Sequence, residues 1–346
     1  MSDEKLAQLR RAALKLARRA NVRKGENLLI LADTTTDKQV VEAVFEASIE
    51  LEALPTLLVQ PYSKDNDMFA EPPKIVAAAM TSFPDVVIPL AKGCSPYTNT
   101  YGEMLRNSRV LGFIYPTVES MINLLLNIDY DIIDKISDTL TELLANTRVC
   151  RFTSTAGTDI TMAFGGRHIA DDPGRVARKG DENYLPGACV CVAPLEESWE
   201  GTIVYDALAY PPIGTLANPI RLVVSHGVVQ RIEGGEEAKR FRKWLEDFDD
   251  QNMFRMCHIG IGINPQFNKL TGIKTLDERI YGIVGAGLGT NDIPVFEGTI
   301  RAKAHTDGYM RCASVYLDGV PLVENGKFVH LKLKDYSDAG FCMRTL

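Results

Sequence analysis

The first 147 residues alternate short, continuous apolar runs with helical segments, and this alternation constrains the fold more than any other feature of the chain. The apolar runs lie at residues 27–32, 56–59, 85–90 and 109–115. The helical segments lie at residues 3–20, 36–54, 73–82, 101–105 and 130–147. Runs that are apolar throughout are typical of strands buried on both faces of a parallel sheet. We therefore predict a Rossmann-like α/β domain over residues 1–147.

From residue 148 onward, short apolar runs are separated by turn signals. The runs lie at residues 149–152, 188–192, 202–205, 220–224 and 228–232, and one clear helix is predicted at 236–248. Asp318-Gly319 and Asn325-Gly326 are typical of hairpin turns. The second predicted domain, residues 148–346, is therefore α+β and rich in antiparallel strands, and two domains are the natural expectation for 346 residues.

Charge and cysteine content bear on partners and compartment. With 38 basic and 45 acidic side chains the net charge is −7, and no long basic tract occurs, so nucleic acid is not an expected partner. The seven cysteines form no CxxC pair, which argues against a disulfide framework and a structural zinc site. No 18-residue apolar run occurs. We predict a cytoplasmic homo-oligomer that does not interact with membranes.

The glycine patterns do not indicate a dinucleotide site. The turn after the first predicted strand, Asp33-Thr34-Thr35-Thr36, contains no glycine that could approach a pyrophosphate. The later run Gly285-x-Gly287-x-Gly289 has a different spacing and opens no helix. Its glycines either let the backbone approach a ligand closely or turn sharply, or they form a plain connection between strands.

Two of the five histidines flank this glycine run, and the second is followed two residues later by a carboxylate. If the segment around His305 is a strand, His305 and Asp307 project from one face and can reach one ion together, with His258 as the third ligand. Two imidazoles and one carboxylate form the facial triad of non-haem Fe(II) oxygenases. The competing interpretation, commoner for a single histidine, is a hydrogen-bonded structural residue.

Motifs in a fixed order span nearly the whole chain. They are Asp172-Pro173-Gly174-Arg175, Leu185-Pro186-Gly187, Ala193-Pro194, Glu200-Gly201-Thr202, Ile232-Glu233-Gly234-Gly235-Glu236, His258-Ile259-Gly260-Ile261-Gly262 and His305-Thr306-Asp307-Gly308. In order and spacing they resemble the aminopeptidase T-like superfamily. Within it, the chain is most similar to the branch that contains 2,5-dihydroxypyridine 5,6-dioxygenase.

The two branches of that superfamily differ in their metal ligands, and this sequence can be compared with each of them. Where the two-metal peptidase branch has ligand glutamates, this chain carries Cys189 and His258, and glycine near Gly285 stands in place of a further histidine. The dioxygenase branch binds one Fe(II) through a histidine and a His-x-Asp pair, which His258, His305 and Asp307 match. The resemblance thus implies one Fe(II), with Mn(II) as an alternative, and O2 as co-substrate.

Two departures from the dioxygenase pattern affect the rest of the site. A serine near the iron has its equivalent at or beside Gly287, and a histidine of the first domain is replaced by Cys94. Cys94 and Ser95 follow a predicted parallel strand at its carboxyl end, where ligands bind in such sheets. We therefore predict Cys94 as a catalytic residue and Ser95 as a substrate-binding one.

Four further residues complete the predicted site. Asp172 is a candidate base or hydrogen-bond acceptor, or else an aspartate that starts a turn before proline. Arg175 opens a basic segment, residues 175–180, that is either a lid for an anionic ring or a solvated loop. Gly289 and Asn291 are predicted to bind substrate.

The activity implied by the resemblance is ring opening of a hydroxylated N-heterocycle or related aromatic, such as 2,5-dihydroxypyridine, with both oxygen atoms of O2 incorporated. A small aromatic molecule is the expected ligand. One alternative is a metallohydrolase that acts on a peptide or amide and needs a second metal. The other is a binding protein without catalytic activity.

Overall fold

The structure, a computed structural model, describes residues 1–62, 70–91, 96, 98–113, 115–293, 295–336 and 341–342. Its α-helices, numbered in chain order, are α1 (Asp3–Arg19), α2 (Lys38–Glu50), α3 (Lys74–Met80), α4 (Asn99–Asn107), α5 (Val118–Leu126), α6 (Tyr130–Ala145), α7 (Glu236–Glu246) and α8 (Lys274–Asp277). The strands are β1 (Asn27–Asp33), β2 (Leu54–Gln60), β3 (Val86–Pro89), β4 (Arg109–Phe113), β5 (Val149–Thr153), β6 (Asp159–Ala163), β7 (Ile169–Asp172), β8 (Glu182–Leu185), β9 (Cys189–Val192), β10 (Glu200–Tyr205), β11 (Leu208–Tyr210), β12 (Gly214–Thr215), β13 (Ile220–Ser225), β14 (Val228–Gly234), β15 (Met256–Gly262), β16 (Val284–Gly289), β17 (His305–Met310), β18 (Ser314–Leu317), β19 (Val320–Glu324) and β20 (Lys327–Phe328).

Helix α1 shows how local sequence sets an element. The hydroxyl of Ser2 caps its start, and acidic residues in the first turn and basic residues in the last turn complement the helix dipole. Its apolar stripe is buried through Leu9, Ala13, Leu16 and Ala17. Burial of this stripe, rather than intrinsic propensity, fixes the helix in the fold.

The first of two compact units comprises Met1–Tyr130 and Asp172–Gly187. Its five-stranded sheet has the order β2-β1-β3-β4-β8, and all neighbouring strands are parallel. The predicted α/β fold with a parallel sheet is thereby confirmed for the N-terminal part. The unit is built from two stretches of chain, whereas the sequence predicted one continuous stretch, residues 1–147.

Strand β8 brings a carboxyl group to the edge of this sheet. Tyr101 Oη donates to Glu182 Oε1 at 2.5 Å, and Tyr184 Oη donates to the same oxygen at 2.9 Å. Desolvation raises the pKa of Glu182, and the two phenol hydrogen bonds counter this effect only in part. The protonated carboxyl is therefore favoured more in the folded chain than in the unfolded one.

This shift predicts a pH dependence that Glu182→Gln should remove. Because the folded-state pKa is raised, the stabilisation is complete below the unfolded pKa of about 4.3 and is lost as pH rises through the folded pKa. Each pKa unit of difference corresponds to about 1.4 kcal/mol. Urea unfolding from pH 4 to 7 should show the variant gaining stability relative to wild type. Glu103→Gln, at an exposed site on α4, is the control. The prediction would be contradicted if the difference in unfolding free energy between Glu182→Gln and wild type did not change with pH.

The second unit comprises Asp131–Asp171 and Ala188–Leu346 and contains two sheets. The eight-stranded sheet has the order β14-β13-β10-β6-β5-β18-β19-β20, and the seven-stranded sheet has the order β12-β11-β17-β16-β15-β9-β7. Apart from β9 and β7, all neighbouring strands in these two sheets are antiparallel. This confirms the predicted C-terminal part rich in antiparallel strands.

The glycine run forms strand β16, so a sharp turn, one of the alternatives that the sequence left open, is wrong. All six residues of β16 are buried, and the strand lies between β15 and β17. A Cβ atom at Gly285 would lie 2.4 Å from the ring of Tyr309 on β17. The glycines therefore make room for side chains that project from neighbouring strands.

Cys312 and Cys342 form a disulfide with their Cα atoms 4.4 Å apart, a single pair in a sequence whose cysteine pattern argued against a disulfide framework. Backbone hydrogen bonds bring the segments together, because Cys312 N–H donates to Phe341 O and Phe341 N–H donates to Gly326 O. Cysteine spacing does not reveal such a tertiary contact, since the pair is 30 residues apart.

Strand β2 forms one edge of the parallel sheet and exposes Leu54, Leu57 and Val59. An exposed apolar edge strand is typical of an association surface. This supports the homo-oligomer, which stays a prediction. Across the described part of the chain, no helix is long and apolar enough to cross a membrane.

Candidate metal centre

Three neighbouring strands place His258, His305 and Asp307 on one face of the seven-stranded sheet. His258 on β15 pairs with Gly287 on β16, and Gly287 pairs with Asp307 on β17. Residues directly opposite each other on paired strands project from the same face, and His305 precedes Asp307 by two positions on β17. The strand expected around His305 is confirmed, and the three side chains meet.

Both imidazoles contact the same carboxylate oxygen. His258 Nε2 lies 3.2 Å and His305 Nε2 lies 3.1 Å from Asp307 Oδ1. The two rings stack with centroids 5.0 Å apart and planes inclined by 18°. Each of the three side chains is less than a tenth exposed. The donor set is therefore compact and largely shielded from water.

The absence of a side chain at Gly287 allows His258 and Asp307 to approach each other. A Cβ atom at position 287 would lie 2.4 Å from Cε1 and 2.5 Å from Nδ1 of His258. It would also lie 2.9 Å from Asp307 Oδ1. His258 and Asp307 thus meet over a position where any side chain would collide with the imidazole.

The backbone fixes one proton on His305. Its Nδ1 lies 3.0 Å from the carbonyl oxygen of Thr290, and a carbonyl oxygen only accepts, so Nδ1 carries the hydrogen. In the neutral ring, Nε2 then directs a lone pair toward Asp307 Oδ1. Two acceptors so close repel unless a positive charge, either a proton or a metal cation, lies at this point. Metal-bound histidines commonly donate their other N–H to a carbonyl in this way.

Burial and charge act differently on the three groups. Burial lowers the pKa of His258 to about 3, so its imidazole is neutral, the form that binds metals. Burial also opposes protonation of His305, but the Asp307 carboxylate outweighs it and raises the pKa of His305 well above its usual range. For Asp307, the effect of burial is outweighed by Lys274 and His305, which hold its pKa well below its usual range. Without a metal, His305 therefore carries the positive charge.

The three donor atoms also fit a divalent metal. Two ligands at right angles, each about 2.1 Å from a metal, are about 3 Å apart. The separations of 3.1 and 3.2 Å between the imidazole nitrogens and Asp307 Oδ1 agree with this spacing. Two neutral imidazoles and one carboxylate are a donor set that suits Fe(II).

Cys257 is a neighbour that the sequence interpretation missed, although it directly precedes His258. Its Sγ lies 3.4 Å from His258 Nδ1 and 3.7 Å from His305 Nδ1, so Cys257, His258 and His305 form a second conceivable ligand set. One observation favours Asp307 instead. Nδ1 of His305, the nitrogen that faces the Cys257 thiol, already donates to Thr290 O, whereas Nε2 of both histidines faces Asp307 Oδ1.

A family model described as 2,5-dihydroxypyridine 5,6-dioxygenase (NicX) matches residues 5–330. The chain belongs to this dioxygenase family. The resemblance that the motifs indicated is therefore confirmed.

Individual relatives agree with this assignment. The 2,5-dihydroxypyridine 5,6-dioxygenase of Pseudomonas putida KT2440 is 26% identical over 197 residues, which cover 54% of this chain and 56% of the relative, so the aligned part spans little more than half of that protein. The solved structure of 2,5-dihydroxypyridine dioxygenase from the same strain superposes with a TM-score of 0.81 at 21% identity, over 95% of this chain and 98% of that one. AmpT from Thermus thermophilus superposes with a TM-score of 0.68 at 16% identity, over 93% and 99% of the two chains. The two superpositions show a shared fold.

Gly289 and Asn291, predicted to bind substrate, have polar groups that bond to the backbone. Gly289 has a φ of +99°, and its N–H donates to Arg255 O. Asn291 Nδ2 donates to Cys257 O at 3.0 Å, and its Oδ1 accepts from the Ile300 N–H at 2.7 Å. Both residues thus hold backbone segments next to the candidate metal ligands. Their predicted role in substrate binding stays a prediction.

Two of the remaining predicted residues lie in the first unit. Asp172 Oδ1 accepts from the Tyr184 N–H at 3.0 Å, and the Arg175 N–H donates to Asn183 Oδ1 at 3.1 Å. The predicted residues that lie outside the described part of the chain are Cys94 and Ser95. The functional roles of all four stay predictions.

Proposed function

We propose that the protein is an Fe(II)-dependent ring-cleaving dioxygenase that acts on a hydroxylated N-heterocycle or related aromatic, such as 2,5-dihydroxypyridine. The observation that carries the proposal is the convergence of His258 Nε2 and His305 Nε2 on Asp307 Oδ1 in a member of the dioxygenase family. Mn(II) is the alternative metal, since it also accepts imidazole and carboxylate ligands.

His258, His305 and Asp307 would hold the metal. When bound, Fe(II) with three protein ligands supplies free positions at which O2 and the substrate hydroxyl come together and exchange electron density. The chain's own contribution is to keep three donors in one arrangement and to exclude bulk water, which strengthens electrostatic interactions in the site.

The surrounding residues orient each ligand. Phe296 stacks on His258 with ring centroids 4.5 Å apart and planes inclined by 19°. The carbonyl of Thr290 fixes the His305 ring through Nδ1–H. Lys274 Nζ lies 2.8 Å from Asp307 Oδ2, which keeps the carboxylate ionised with Oδ1 directed at the imidazoles. Supports of this kind preorganise a metal site before the metal arrives.

Substrate contacts and proton transfer fall to the other predicted residues. Asp172 and Cys94 are the proposed acceptors of the ring hydroxyl proton, and a thiol serves this purpose only if its pKa is lowered. The proposed substrate-binding residues are Ser95, Arg175, Gly289 and Asn291. Support for these roles comes from the motif order and from family membership.

Metal content and oxygen uptake test the proposal. Protein purified without oxygen is expected to hold one iron per chain and to consume one O2 for each 2,5-dihydroxypyridine ring opened. Two tightly bound ions per chain, with hydrolysis of peptides, would overturn it in favour of the hydrolase. Ring binding with neither metal nor turnover would overturn it in favour of a non-catalytic binding protein.

A further inference from the structure

Lys274 places an ammonium group between two buried carboxylates. Its Nζ lies 2.8 Å from Asp307 Oδ2 and 3.1 Å from Glu278 Oε2. The side chains of Asp307 and Glu278 are only 6% and 10% exposed. Asp307 therefore directs one oxygen at the two imidazoles and the other at a lysine.

Glu278 shares this cation with Asp307. Its Oε2 also accepts from Tyr309 Oη at 3.0 Å, and its Oε1 pairs with Arg279. Two buried carboxylates that face one point repel each other, and a buried charge that loses its partner is costly. Removing the Lys274 ammonium would leave Asp307 Oδ2 and Glu278 Oε2 directed at an uncompensated position.

The loop that carries Lys274 is held firmly in place. Asp277, which is fully buried, accepts hydrogen bonds from Thr271 N at 2.6 Å, Thr271 Oγ1 at 2.7 Å and Gly272 N at 2.9 Å. Lys274 lies on α8 together with Asp277, and its side chain is one-quarter exposed. The backbone that carries the Lys274 side chain is thus anchored, and its ammonium contacts both carboxylates.

The ammonium lies among oxygen atoms that can bind metals. Two carboxylate oxygens lie within 3.1 Å of Lys274 Nζ, and the hydroxyl of Tyr309 lies 3.0 Å from one of them, Glu278 Oε2. Carboxylate oxygens are among the ligands that bind zinc.

We propose that the Lys274 ammonium takes the place of a second metal ion and thereby restricts the centre to one metal. The inference rests on the proposed one-metal function. It has a further consequence for the ligands, because a carboxylate whose Oδ2 is held by Lys274 offers only Oδ1 to the metal at His258 and His305.

Zinc counting tests this assignment without any measurement of activity. The full-length chain is loaded with Zn(II), desalted and examined by native mass spectrometry. Wild type and Lys274→Arg, which keeps a cation, are expected to retain one zinc per chain. Lys274→Ala and Lys274→Ser are expected to retain two. Lys274→Ala combined with Glu278→Gln, which removes one of the two carboxylates, is expected to return to one.

Several outcomes would overturn the proposal. One zinc per chain in folded Lys274→Ala or Lys274→Ser would do so, as would two in wild type. Failure of both variants to fold in zinc-containing buffer would also count against it, because zinc should replace the ammonium. If wild type bound no zinc, the proposed one-metal function would be contradicted as well. If wild type, Lys274→Ala and Lys274→Ser each bound one zinc, only the inference about Lys274 would be contradicted.

Discussion

His305→Ala is expected to abolish metal binding and ring opening while the chain stays folded. The change removes one of three donors and the nitrogen that lies 3.1 Å from Asp307 Oδ1. Losing a group that merely supports a ligand typically lowers metal affinity 10–100-fold, and losing the ligand itself costs more. Iron per chain after anaerobic purification should therefore fall to background, and O2 uptake with 2,5-dihydroxypyridine should fall with it.

The folded state should persist at a reduced free energy of unfolding. The metal-free variant loses the hydrogen bond between His305 Nδ1 and Thr290 O, worth about 1–3 kcal/mol when a buried partner is left unpaired. It also loses the buried ion pair of His305 with Asp307, and breaking such a pair costs about 3–5 kcal/mol when the remaining charge has no other partner. Asp307 keeps its contact with Lys274. His168→Ala, at an exposed histidine of the same unit, is the control and should keep both iron and activity. Full iron content and activity in His305→Ala would remove the triad from the site.

Sequence patterns predicted the parallel sheet because the signal is local. Strands β1, β3 and β4 are almost entirely buried, and such strands are apolar along their whole length. Strand β8 was missed because Glu182–Leu185 carries polar residues in a run of four, with no periodicity to mark it. Its place beside β4 depends on a contact between distant parts of the chain.

The same distinction applies to the metal centre. The pairing of His305 with Asp307 was predictable because alternate residues of a strand share a face. The roles of Gly287, Thr290 and Lys274 were not, since they depend on strand register and on the loop at Asp277. No short sequence pattern encodes the approach of a lysine to a carboxylate 33 positions further along the chain. Cys257 differs, because its adjacency to His258 was visible in the sequence.

Gly287→Ala is expected to weaken both the fold and the metal site through one collision. The added Cβ would lie 2.4 Å from Cε1 of His258, far inside van der Waals contact, so the imidazole must move away from Asp307. Inserting a methyl group into a packed core costs about 1–3 kcal/mol. Moving a ligand out of place should lower iron affinity by at least the roughly 10–100-fold that outer supports contribute. Urea unfolding of the metal-free chain and anaerobic iron titration measure the two effects.

A double-mutant cycle identifies the cause. In the His258→Ala background the colliding ring is gone, so Gly287→Ala should lose most of its cost to the free energy of unfolding, and the coupling between the two positions should approach that cost. A cost that stays the same in both backgrounds would place the strain in the backbone of β16 or in the 2.9 Å approach to Asp307 Oδ1 instead. Since His258→Ala also removes a candidate metal ligand, the stability of the metal-free chain decides between these causes. A coupling close to the full cost would show that position 287 is glycine because the His258 ring lies over it.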